Sequence, residues 1–131
     1  MKTPLRSVPI WRAAGAALAA AGMALSALAA HFPENRLAPG GRTMLHSAAE
    51  VMVWHALALL LAGLVPARPS RAILLGVWGL LAGTLLFASG VCLTAFTGIH
   101  PGPVAPSGGS LLILSWLFLA IALPLWKTGQ D

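Results

Sequence analysis

Side chains able to do chemistry are scarce in this 131-residue sequence: three acids (Glu34, Glu50, Asp131), four histidines (His31, His46, His55, His100) and Cys92. His46 and Glu50 are four residues apart. On a helix that spacing puts an imidazole and a carboxylate on one face, where they can share a proton or a hydrogen bond. His55 follows five residues after Glu50 and lies about 140° further round the same helix. Glu50, His46 and His55 therefore form a candidate polar site for a proton or a cation. A structural reading stands beside it. Glu50 would rest near the outer interface against His46 and water, and His55 would bond a carbonyl of a neighbouring helix.

A second set is defined by position. His31, His46 and His100 fall toward one end of the molecule, and three imidazoles suit zinc or copper. The spacings HxxxH and HExxH, which present two histidines from one helix, are absent. A b-type haem needs two facing histidines at depth, and only His55 is deep. A single cysteine excludes an internal disulfide framework and a Cys-based zinc site. Cys92 has no basic residue close in sequence to activate it and reads as a small apolar side chain. No nucleophile elbow, Walker loop or paired-carboxylate motif is present. These residues imply a protein that is not an enzyme and carries no cofactor.

The elements that position them are set by composition. Hydrophobic residues make up 58% of the chain and charged residues 8%, and the mean hydropathy is +0.85. Soluble domains carry about 25% charged residues, so a soluble fold, a disordered chain and a nucleic-acid module are all excluded. A membrane-spanning helix needs about 20 mostly apolar residues. Four stretches qualify, at approximately 13–31, 44–65, 72–99 and 109–126. Pro33 and Pro39, then Pro66 and Pro69, then Pro101, Pro103 and Pro106 separate them. The apolar runs are continuous rather than alternating, which excludes barrel strands of about 10 residues. The expected fold is all-α: one transmembrane domain over 1–131, an integral membrane four-helix bundle.

Six of the eight basic residues fall on one side of this arrangement: Lys2, Arg6, Arg12, Arg68, Arg71 and Lys127, against Arg36 and Arg42. Short loops rich in Lys and Arg stay cytoplasmic, so both termini are expected inside. Trp11, Trp78 and Trp126 lie near the inner ends of their spans. The net charge of +5 is a topology signal, not an attraction to nucleic acid. A competing reading treats residues 1–29 as a cleaved signal peptide ending in Ala27-Leu28-Ala29.

Association of helices in lipid depends on close backbone approach at small residues. Gly15, Gly22 and Ala29 recur at seven-residue spacing in the first span. Gly76, Gly83 and Gly90 do so in the third, with Gly79 completing a GxxxG pair with Gly83. These stripes predict that spans one and three pack against each other.

The segment Trp54-His55-Ala56-Leu57-Ala58-Leu59-Leu60 resembles the aromatic-His-Ala-Leu-Ala-Leu-Leu signature of the YgdD-like proteins. Ala29-Ala30-His31 stands where that family has Gly-Ala-His, 24 residues before His55. Ala95-Phe96-Thr97-Gly98 and Ala105-Pro106-Ser107-Gly108-Gly109 are similar to its Ala-Leu-Thr-Gly and Thr-Pro-x-Gly-Gly segments, and Trp116 matches a Trp of its last span. The resemblance implies a small four-span bacterial inner-membrane protein of unknown function whose first span is retained. His31, Trp54, His55, Gly108 and Gly109 would mark family positions. Val51-Met52 and Cys92 depart from the family's Tyr-Gln and Tyr, so any chemistry of those residues would be altered here.

The function these observations imply is a non-catalytic accessory or interaction role in the bilayer, with a homo-oligomer or another membrane protein as partner and no nucleic acid. The alternatives are a small transporter or proton/cation pathway through Glu50, His46 and His55, and an outer-face metal-binding protein.

Overall fold

In hydrocarbon no water is available to bond backbone amides, so each apolar run must close its own hydrogen bonds as a helix. The computed structural model describes residues 8–64 and 69–125 and has this form. Helix α1 runs Val8–His31, α2 Gly41–Leu64, α3 Arg71–Thr97 and α4 Val104–Ala122, with a short 3-10 turn at Glu34–Arg36. All four are long and apolar enough to cross a membrane. Lys2, Arg6, Arg68 and Lys127, which carry part of the charge asymmetry, and Trp126 lie outside the described residues.

Helix ends follow local chemistry. Ser70 caps α3, its hydroxyl accepting from the Ile73 amide at 3.3 Å. Gly98 ends α3 in the left-handed region, at φ 72°, where a side chain would be strained. Helix α4 starts five residues earlier than the expected 109. Pro106, expected as a breaker, lies in its first turn, where the missing N–H has no intrahelical partner to lose. Helix α4 ends at Ala122, two residues before Pro124. The residue before a proline disfavours helix.

Three pairs pack along the chain order: α1 on α2, α2 on α3 and α3 on α4. The expected pairing of spans one and three is not what forms. A Cβ on Gly15 would meet the Ala56 carbonyl at 2.9 Å and Leu60 Cγ at 2.8 Å, and one on Gly22 would meet Val53 and Met52. The first stripe thus receives α2. Gly76 lies against Leu119, Gly79 against Ser115, Gly83 against Leu112 and the Gly108 carbonyl, and Gly90 against Ala105, so the second stripe receives α4. Consecutive helices joined by a short connection lie antiparallel side by side. Each stripe is a groove for its own hairpin partner. Helices α1 and α3 do meet near the start of each, where Trp11 and Trp78 stack edge-on with centroids 4.7 Å apart.

The two hairpins share one spacing. Gly76, Gly83 and Gly90 each follow Gly15, Gly22 and Ala29 by 61 residues, the separation that also relates His55 and Trp116. Their registers agree as well. Gly15 faces the stretch between Ala56 and Leu60, and Gly76 faces Leu119, which is 61 residues beyond the middle of that stretch. At the opposite end the first connection is tied to α3: the Ala38 amide donates to the Ala95 carbonyl at 2.9 Å, and Phe32 stacks edge-on against Phe96.

Gly108 makes the tightest approach to neighbouring backbone, since an added Cβ would overlap the Phe87 amide nitrogen and come within 2.8 Å of Phe87 Cα and of the Gly83 carbonyl. None of these backbone atoms can rotate away. Gly108→Ala is expected to lower stability by about 1–3 kcal/mol, the usual range for overpacking. Gly109→Ala would meet only the Phe87 ring at 3.8 Å and should be near neutral. Thermal unfolding of the two variants in detergent separates them, and equal midpoints would contradict this packing.

Candidate functional site

The polar side chains of α2 divide between two faces. His55 is buried, 8% exposed, on the side turned toward α3 and α4. The Trp116 indole donates to His55 Nε2 at 3.0 Å. An indole N–H can only donate, so Nε2 must accept and the ring proton sits on Nδ1. Nδ1 in turn donates to the Val51 carbonyl one turn back, at 2.6 Å. Both ring nitrogens are engaged, which leaves no lone pair for a metal or a travelling proton. This bond is a polar tie between the two hairpins, α2 to α4.

Glu50 and His46 lie on the opposite, exposed face of α2. They share that face as their spacing requires, but no ion pair joins them among the described residues; the ion pair present there is Arg42 with Glu34, at 3.9 Å. The depth of Glu50 follows from the packing. Gly22 lies against Ala49 and Val53, so Glu50 is level with Gly22–Met23. Gly22 is eight residues from Ala30, the C-terminal end of the apolar run of α1, about 12 Å at 1.5 Å per residue. Glu50 is thus a carboxyl on the outside of the bundle, well inside the apolar layer. His55 points away from it, and the three residues do not gather into one site.

The histidines of the second set stay apart. His31 ends α1 on a shallow surface groove with Leu28, Phe32 and Pro33. His46 is on α2, and His100 is exposed in the connection between α3 and α4. Among the described residues no three His, Cys, Asp or Glu side chains come close enough to hold a metal. Of the family-signature positions, Trp54 faces outward, 69% exposed, while Gly108 and Gly109 lie at the α3–α4 crossing. A cavity of about 240 Å³ lies in the half of the bundle that holds the start of α1, lined by Trp11, Ala58, Ile73, Val77, Trp116 and Leu119 among others. Its walls are almost wholly hydrocarbon and aromatic, with no acid or base to act on a substrate.

Two arginines, read from sequence only as topology charges, do local work. The Arg42 guanidinium, in the first turn of α2, donates to the carbonyls of Ala29, Ala30 at 3.2 Å and Phe32 at 3.0 Å. These belong to the C-terminal end of α1, which carries unpaired carbonyls and the negative pole of the helix dipole. Arg12, near the start of α1, donates through Nε to the Gly63 carbonyl at the end of α2, 2.8 Å away. Each helix of the first hairpin clasps the far end of the other. The signal available in sequence was an arginine in the opening turns of each antiparallel helix.

The His55–Trp116 bond has a measurable coupling. Interhelical hydrogen bonds in membranes average about 0.6 kcal/mol and reach about 1.7. Trp116→Phe, His55→Phe and the double variant should give a coupling energy in that range from unfolding in detergent. Strict additivity would mean the bond contributes nothing.

The model of the family described as "Protein of unknown function (DUF423)" matches residues 25–109. Several curated staphylococcal proteins are similar over most of their length. A "UPF0382 membrane protein" of Staphylococcus epidermidis is 30% identical over 109 residues, covering 82% of this chain and 89% of its own. One of Staphylococcus saprophyticus is 31% identical over 108 residues, covering 82% and 90%, and one of Staphylococcus aureus is 28% identical over 109 residues. No solved structure matches the chain. The expected kinship to small membrane proteins of unknown function is met. With four spans, the matched model and relatives aligned over most of both chains, this protein belongs to the DUF423 family of membrane proteins.

Proposed function

We propose that this protein is a non-catalytic component of the bacterial plasma membrane that works by associating with other membrane protein, with both termini on the cytoplasmic side. The observation that carries the reading is the outward position of Glu50. A transport path would turn its carboxyl inward, toward other polar groups and water. A carboxyl on the outside of the bundle at this depth costs about 2.5–3.5 kcal/mol or more against lipid, and a protein neighbour that supplies a hydrogen-bond partner offsets that cost. His55 supports the same reading, because its two nitrogens are spent on Val51 and Trp116. The apolar cavity offers no polar relay between them.

Purified protein in lipid vesicles loaded with a pH-sensitive dye tests this. Proton flux under an imposed gradient should equal that of protein-free vesicles, for the natural chain and for Glu50→Gln alike. Flux above that level and lost in Glu50→Gln would replace the association reading with a pathway.

A further inference from the structure

The cavity beside the His55–Trp116 bond has no role in the association reading. Helices α2 and α4 meet at that bond but do not pack along their length. Past the bond, Ala58 and Ala62 of α2 face Leu119 and Leu123 of α4 across the gap, over Ile73 and Val77 of α3. Trp11, held against Trp78, walls the side next to α1. Leu61 and Leu123 belong to the lining and are also exposed, so the cavity opens on the outside of the bundle.

We propose that this cavity holds one alkyl chain of an anionic phospholipid, whose headgroup meets Arg12 and Arg71. The walls select hydrocarbon. An apolar cavity of about 150 Å³ stays dry and takes up benzene, and this one is larger, at about 240 Å³. Among the described residues no acid, base, amide or hydroxyl side chain lines it, and the Trp116 N–H is taken by His55. A ligand whose buried part carries carbonyls or hydroxyls would bury them at a cost. Length agrees. From Ile73 to Leu80 the α3 wall rises about 10 Å at 1.5 Å per residue, against about 15 Å for half of a hydrocarbon core. That admits most of one chain. Charge selects the headgroup. Arg12 follows Trp11 and Arg71 stands two residues past Pro69, both lining residues, and both arginines are exposed. Arg12 uses Nε on the Gly63 carbonyl, and its terminal nitrogens have no protein partner among the described residues. No acid accompanies them there: Glu34 lies in the connection at the opposite end, and Glu50 is eight residues before Ala58. Guanidinium groups hold phosphate through paired N–H bonds.

Native mass spectrometry of the full chain in mild detergent tests this, with phosphatidylglycerol and phosphatidylcholine supplied in equal amounts. One phosphatidylglycerol per chain should be retained, about fivefold over phosphatidylcholine. Ala58→Phe and Ala62→Phe each put a ring into the cavity and should each cut that retention severalfold. Leu114→Phe, on the exposed face of α4, should leave it unchanged. Arg71→Gln should at least halve the preference for phosphatidylglycerol. Thermal unfolding supplies a second readout on chains that still unfold cooperatively. Phosphatidylglycerol should raise the midpoint of the natural chain, because a ligand of the folded state stabilises it, and should not raise that of the filled variants. Retention of neither lipid, or equal retention of both, overturns the proposal. So does retention unchanged in both filled variants, or a preference unchanged in Arg71→Gln.

Discussion

The structure depends on one constraint: within hydrocarbon, every hydrogen-bonding group must find its partner in the protein. The backbone meets it by forming four helices. Side chains of the spans meet it locally, as when Thr84 donates to the Leu80 carbonyl at 2.7 Å and Thr94 to the Gly90 carbonyl at 3.1 Å. Among the described residues no buried side-chain nitrogen or oxygen is left without a partner. Helix ends meet it through Arg12 and Arg42, which bring guanidinium donors to carbonyls that the helices cannot pair themselves. Because these arginines reach across the hairpin, satisfying the ends also fixes how α1 and α2 lie together.

Packing then follows from shape, since apolar side chains gain little by leaving lipid. The glycine stripes let backbone meet backbone, at Gly15 against Ala56 and at Gly108 against Gly83 and Phe87. With the 61-residue repeat, the molecule is two similar hairpins, each closed by a stripe on its first helix. They are joined where α2 meets α3 and where Trp116 donates to His55. Equivalent positions of the two repeats meet in that last bond. Each hairpin supplies one half of it, and a change on either side strands the other.

Much of this was legible from the chain alone. Apolar run length set the four spans, and proline placement separated them, because both act through local physics. Partner choice was not legible. Seven-residue spacing of glycine defines a groove without saying which helix enters it, so the pairing of α1 with α3 was the wrong inference. The start of α4 was misplaced because Pro106 breaks a helix interior yet fits a first turn. Arg42 and Arg12 carried a topology signal that concealed their carbonyl contacts, which exist only once two helices run antiparallel. The opposed directions of Glu50 and His55 were readable from helical angle. Which of them faced inward was not, because the sequence profile of α2 is apolar nearly all round.

Glu50 is the exception that gives the constraint its functional meaning. It is the one acid within a span, it faces out of the bundle, and no group of its own chain pairs with it among the described residues. The account therefore requires that protein, and not lipid, covers this face of α2. Nitroxide labels placed singly at Leu57 and Leu61, and at Leu114 and Leu117 of α4, report this directly in a bilayer through their collision rate with dissolved oxygen. The account predicts low oxygen access at Leu57 and Leu61 and high access at Leu114 and Leu117. Equal, high access at all four positions would contradict it.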